Sequence, residues 1–183
     1  MPATAYIFIP ALAVTAFGAV YDWRTGRIPN WLTLGALVVG LLGHAGWGLV
    51  QTGSAMGAVR SFGFSVLGAV ACAAVPLLLY RMDAIGGGDV KMLAALGAML
   101  RPMLGVEAEM YGFLAVALIM PARLAYEGKL KRVMLNTLAI ATNPFRPKDK
   151  RKEVPKEMLT EVRFGPGIFL GTCVTATLHW TQL

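Results

Sequence analysis

Six apolar stretches dominate this chain, at about 3–21, 31–50, 62–80, 90–100, 109–124 and 164–180. Such runs leave few folds open. A backbone inside hydrocarbon must satisfy its own N–H and C=O groups, and an α-helix does so within one segment. Hydrophobic residues make up 56% of the 183 and charged residues only 15%, where a soluble domain carries about a quarter. Mean hydropathy is +0.60, and the few charges are clustered. The chain is therefore expected to be all-α and polytopic, with about six transmembrane helices in a single membrane-embedded domain over 1–183. The fourth stretch is shorter than the roughly 20 residues a span needs, unless Gly86 to Asp89 are drawn into the bilayer region. A short span that starts at a glycine cluster suits the lining of a cavity.

The basic residues orient the spans. With the N-terminus outside, inner loops hold Arg24, Arg27, Arg81, Lys91 and the run from Arg123 to Arg163. Outer loops then hold only Arg60 and Arg101, as the positive-inside rule requires. Both termini are expected outside. The first span lacks a basic n-region, so it reads as a retained helix rather than a cleaved signal. The stretch at about 126–162 is the only long polar one and is expected to be a basic cytoplasmic loop, its prolines arguing against one continuous helix. Two roles are open to it: contact with anionic lipid headgroups, or docking of a partner or substrate flank. Topology accounts for the basic charge, so nucleic acid is not an expected partner.

Against this background two carboxylates stand out. Asp22 closes the first span, in Tyr21-Asp22-Trp23-Arg24-Thr25-Gly26-Arg27-Ile28-Pro29-Asn30, and Asp89 opens the fourth, in Gly86-Gly87-Gly88-Asp89-Val90-Lys91-Met92. A carboxylate at a bilayer edge is costly to desolvate and marks a working site. The orientation above places both on the same, cytoplasmic, side. Two such groups, one protonated and one ionised, can activate water for peptide hydrolysis. Gly86, Gly87 and Gly88 permit backbone angles other residues resist and let another chain approach closely. Asp89 then sits where a helix start favours an ionised carboxylate; the plain alternative is a helix cap after a glycine turn. Ile28-Pro29-Asn30 reads as a turn into the second span, with Asn30 as its cap, and so fixes where Asp22 points. Two roles are open to Lys91: a hydrogen bond at the site, or snorkelling to headgroups. Asp83 is a rival carboxylate in the same inner loop, expected to face water. Glu107 and Glu109 fall on the outer side.

Other chemistries lack their residues. Cys72 and Cys173 lie in apolar segments with no Cys-x-x-Cys, so they read as small packing side chains. His44 and His179 have no ligand spacing and read as packing or interface residues. No His-Glu-x-x-His is present. No metal and no cofactor are expected.

Together these residues resemble the bacterial type IV prepilin peptidases, membrane aspartyl proteases of the Gly-x-Gly-Asp class. Asp22 followed by Ile28-Pro29-Asn30 looks like the first-aspartate motif, Gly86 to Met92 like the second, and Phe164-Gly165-Pro166-Gly167 like the Phe-Gly-Pro element that opens the last span. The larger members carry an N-terminal cytoplasmic insertion, often with four zinc-binding cysteines, linked to N-methylation of the cleaved pilin. No cysteine tetrad is present here, and the chain begins almost directly with the first span. The resemblance is therefore to the short peptidases of Tad/Flp-type pili, without methyltransferase activity. It implies an enzyme of the bacterial inner membrane that removes the cytoplasmic leader from prepilins or pseudopilins, with Asp22 and Asp89 as the catalytic pair. It leaves open the oligomeric state and whether the pair is assembled before substrate arrives.

Two rival functions carry different signatures. A small ion-coupled transporter also uses intramembrane carboxylates and glycine breaks, but would favour an internal repeat, and none is evident. A non-catalytic assembly factor for a pilus or secretion machine would tolerate loss of both aspartates.

Overall fold

The computed structural model describes residues 5–82, 84–128, 131, 133–135 and 163–180. The described residues are helical, without strands, as the apolar runs require. The helices are α1 (Ala5–Thr25), α2 (Asn30–Thr52), α3 (Ala55–Arg81), α4 (Gly87–Tyr126) and α5 (Gly165–His179). Three of them, α2, α3 and α4, are long and apolar enough to cross a membrane by length and composition. Large apolar side chains such as Leu42, Val50, Val59 and Val70 are exposed, the pattern of a membrane protein whose outer surface meets lipid. Met1–Ala115 with Arg163–Leu183 form one compact unit and Val116–Val162 another. In the second, Arg123 Nε donates to Glu127 Oε1 at 2.9 Å, one turn along the helix. Most of the basic stretch at 126–162, and Asp83, lie outside the described residues.

The helix ends correct three boundaries. The third helix starts at Ala55, not near 62. Gly53 at φ +62 closes α2, and the Ser54 side chain accepts the Gly57 N–H to open α3, so Arg60 lies within a helix and not in a loop. The first helix runs past Asp22 to Thr25 and stops at Gly26, whose left-handed φ of +67 favours glycine. Asn30 does not cap α2: Pro29 holds the cap position in extended backbone, with no side-chain cap bond.

A fourth correction concerns Arg101, expected in a loop between two spans. There is no loop. The chain leaves helical geometry at that one residue, φ +63 and ψ 173, and resumes the helix at once. Pro102 explains the site of the break, because a proline disfavours helical backbone in the residue before it. The forty-residue α4 would otherwise measure roughly 60 Å, about twice the hydrocarbon thickness. A non-glycine residue in this region costs about 1–3 kcal/mol, so the surroundings must hold it there.

They do so with side chains. A helix end leaves its last carbonyls without intrahelical partners. Ser65 on α3 donates its hydroxyl to Ala98 O at 2.6 Å, and His44 on α2 bonds Met99 O through Nε2 at 2.7 Å. Arg101 Nε donates to the other ring nitrogen of His44 at 3.3 Å. The His44 ring is therefore in the tautomer that donates from Nε2 and accepts at Nδ1.

The first part of α4, before the break, is the most enclosed element. Met92, Leu93, Ala95, Leu96, Ala98 and Leu100 are each no more than 2% exposed. Small residues let neighbours close on it, the usual basis of helix contact in membranes. A Cβ at Gly68 on α3 would collide with the Gly97 carbonyl, one at Gly18 on α1 with the Met92 side chain, and one at Gly40 on α2 would meet Ala98 C and Met99 N at 3.0 Å. After the break, Gly171 of α5 packs on Ala108 and Gly112. The hydrophobic core thus forms around α4.

His44→Ala is expected to lower stability by about 1–3 kcal/mol, because it strips the partners from a buried carbonyl and from Arg101. Gly63→Ala, whose Cβ meets nothing within 4 Å, is expected to leave stability unchanged. Denaturant titration in one detergent checks both, and equal effects would rule out the capping account.

Candidate active site

Asp22 lies in the last turn of α1 and Asp89 in the first turn of α4. Both are buried, at 5% and 7% exposure, although each stands at a helix end. Asp89 lies within electrostatic reach of Asp22. The structure thus brings the two sequence-predicted carboxylates together from helices 67 positions apart.

Asp89 is held by its own turn. Its Oδ2 accepts the Gly86 N–H at 3.2 Å, the reach from the third helical position back to the cap that forms half of a capping box. None of the three glycines has positive φ; what they leave is close space for their neighbours. A Cβ on Gly88 would sit 3.3 Å from Ile28 Cβ, one on Gly87 3.4 Å from the Tyr80 ring, and one on Gly86 3.2 Å from Asp89 Oδ2. The expected close approach is therefore made by this chain's own Ile28 and Tyr80.

Asp22 is held from farther away. Helix α5 opens at Phe164, which carries no acceptor to cap the free amides, and has no side-chain cap bond. The Asp22 carboxylate fills that role from another helix: its Oδ2 accepts the Gly165 N–H at 2.9 Å. Contact this close requires glycine, because a Cβ at 165 would lie 2.7 Å from Asp22 Cβ. Pro166 follows in the first turn, where its missing N–H costs nothing, and Phe164 packs edge-on against Phe113 with centroids 5.9 Å apart. Arg163 donates to the Trp23 carbonyl and acts electrostatically on Asp22.

The turn after Asp22 joins the two motifs. Thr25 Oγ1 donates to Tyr21 O at 2.8 Å, and Gly26 N–H to Asp22 O at 2.9 Å. Pro29 is extended, at φ −69 and ψ 138. Ile28 drops onto Gly88, and Asn30 Oδ1 accepts from Lys91 Nζ at 2.8 Å. Lys91 is thus tied to Asn30, in the turn beside the carboxylates. Glu107 and Glu109 are far along α4 from Asp89: Glu107 pairs with His179 at 2.9 Å, and Glu109 is buried.

Gly86, Gly87, Gly88, Ile28, Pro29, Asn30 and Lys91 all border the carboxylate pair or the turns beside it. Gly165 and Arg163 were not among the site residues read from the sequence. Phe164-Gly165-Pro166-Gly167 was visible as the opening of a helix, but nothing local shows that its first amide would meet Asp22.

The helical bundle defines a membrane protein with two buried carboxylates at a cluster of helix ends. The type IV leader peptidase family matches residues 7–122, which include both aspartate motifs, and the chain belongs to that family. No curated protein matches it, and no solved structure does. It is a peptidase of the kind that acts on type IV prepilins.

Gly165→Ala is expected to lower prepilin cleavage by about 10- to 100-fold with the helical content intact, as misplacing a reacting group by about 1 Å does. Cleavage rates and circular dichroism on the same purified protein check it. Unimpaired cleavage would show that the α5 amide is not needed where it is.

Proposed function

We propose that this protein is an aspartic endopeptidase of the bacterial inner membrane, serving a Tad/Flp-type pilus and lacking methyltransferase activity. In this reading it removes the cytoplasmic leader from prepilins or pseudopilins at the inner face. The observation that carries the reading is the pairing of Asp22 and Asp89, two buried carboxylates within electrostatic reach, each fixed by one backbone N–H.

The substrate helix lies in the membrane and its leader in the cytoplasm. The segment to be cut reaches the pair in extended form. One carboxylate takes a proton from the water held between them, and the water oxygen bonds to the scissile carbonyl carbon. The other, protonated, aspartate gives its proton to the carbonyl oxygen as negative charge develops there. The tetrahedral intermediate collapses by breaking the C–N bond: the proton taken from water passes to the leaving amine, and the ionised aspartate takes back a proton from the gem-diol hydroxyl as the new C=O forms. The products are a carboxylic acid on the leader and an amine on the mature pilin. The two carboxyls exchange protonation states in each turnover, so neither can be replaced by an amide.

Positive charge in the inner segments supports the sidedness, with both termini outside and basic residues against anionic headgroups.

Asp22→Asn and Asp89→Asn are each expected to abolish cleavage of a Tad-type prepilin, while Glu107→Gln, at the His179 pair, cleaves like the wild type. Gel-shift cleavage in detergent, with thermal unfolding as the folding control, tests this. Retained cleavage in either asparagine variant would sink the aspartic mechanism; loss in all three would point to general damage.

A further inference from the structure

The end of α1 and the start of α5 cap each other in opposite directions. Asp22 accepts from the first amide of α5, at Gly165. Arg163, two residues earlier, donates its guanidinium to Trp23 O in the last turn of α1. Adjacent residues of α1 thus engage Gly165 at the start of α5 and Arg163 just before it, and the contacts close a ring. The Asp22 and Tyr21 carbonyls already have partners in the Gly26 N–H and the Thr25 hydroxyl. Arg163 thus reaches the carbonyl of the next residue, Trp23, and brings positive charge to the negative end of a helix.

Arg163 is exposed. An exposed contact of this kind adds little to stability, about 0–1 kcal/mol. Its consequence is positional. The Asp22 carboxylate is aimed by the register between two helix ends that are distant in sequence. Gly165 fixes that register at one point only, about which the end of α5 can pivot. A planar guanidinium anchored on the next residue of α1 supplies a second point.

We propose that Arg163 is a positioning residue for Asp22, locking α1 to α5 so that the carboxylate stays aimed at Asp89. The proposal rests on the aspartic reading above. Arg163 takes no part in proton transfer and leaves substrate affinity alone.

The experiment measures kcat and KM for a Tad-type prepilin with the full chain in detergent, for wild type, Arg163→Ala, Arg163→Lys, Arg24→Ala and Asp22→Asn. Arg24→Ala removes a like charge from the same turn of α1. Arg163→Ala is expected to lower kcat by about 10- to 100-fold, with KM within about twofold of wild type. Arg163→Lys restores charge and one donor, and its kcat is expected to fall between the two. Arg24→Ala is expected to match wild type. A wild-type kcat in Arg163→Ala, a loss confined to KM, or an equal loss in Arg24→Ala overturns the proposal. Should Arg163→Ala not fold, Arg163→Lys decides alone: a kcat lowered about threefold or more at unchanged KM supports it, and wild-type kinetics overturn it. Cleavage by Asp22→Asn would instead remove the aspartic reading itself, which keeps the two failures distinct.

Discussion

A helix that stops inside a packed bundle leaves carbonyl groups that no water reaches. At Arg101 the chain meets that cost with side chains from two other helices: Ser65 takes Ala98 O and His44 takes Met99 O. Much of the molecule follows from that junction. It divides α4 into two parts and ends the first near residue 100, with the deeply buried face from Met92 to Leu100 turned to α1, α2 and α3. Because this part is held at its far end and packed through glycines along its length, its first turn is a fixed platform. Asp89 stands on that platform.

The two carboxylates show how helix ends can hold acidic side chains in place. A helix start offers free N–H groups, and a carboxylate placed there is held by donors that need no reorganisation during a reaction. Asp89 uses the start of its own helix and Asp22 the start of another. The two aspartates are therefore not equivalent. One depends on a local turn of four residues, the other on contact between segments more than 140 positions apart. Damage to packing is expected to reach Asp22 first. The same difference gives α5 a place at the site although it lies beyond the segment, 7–122, that the leader peptidase family matches.

Several features were legible in the residues themselves. The helical class followed from apolar runs that admit no other backbone. The two aspartates were visible because charge is so costly in such surroundings. Gly26 ending α1 and Pro102 breaking α4 are local effects of backbone sterics, and the second was available to a reader who weighed the residue before a proline. Other readings failed for equally physical reasons. Asn30 is a good capping residue by composition, yet the backbone places it inside the first turn, where its side chain meets Lys91 instead. The glycines before Asp89 suggested unusual angles; their backbone is ordinary, and the absent Cβ atoms make room for Ile28 and Tyr80.

What the sequence alone determined was therefore whatever depends on neighbours along the chain: helical runs, their stops, and the presence of two carboxylates at helix ends. Tertiary structure decided which groups those ends would face. The Gly165 amide, the Arg163 guanidinium, Ser65 and His44 act across separations of 33 to 143 positions. Their hydrogen-bonding partners are backbone atoms and a carboxylate, whose identity carries no pairing signal. A carbonyl or an amide is the same at every position, and only packing selects the one that a side chain will meet.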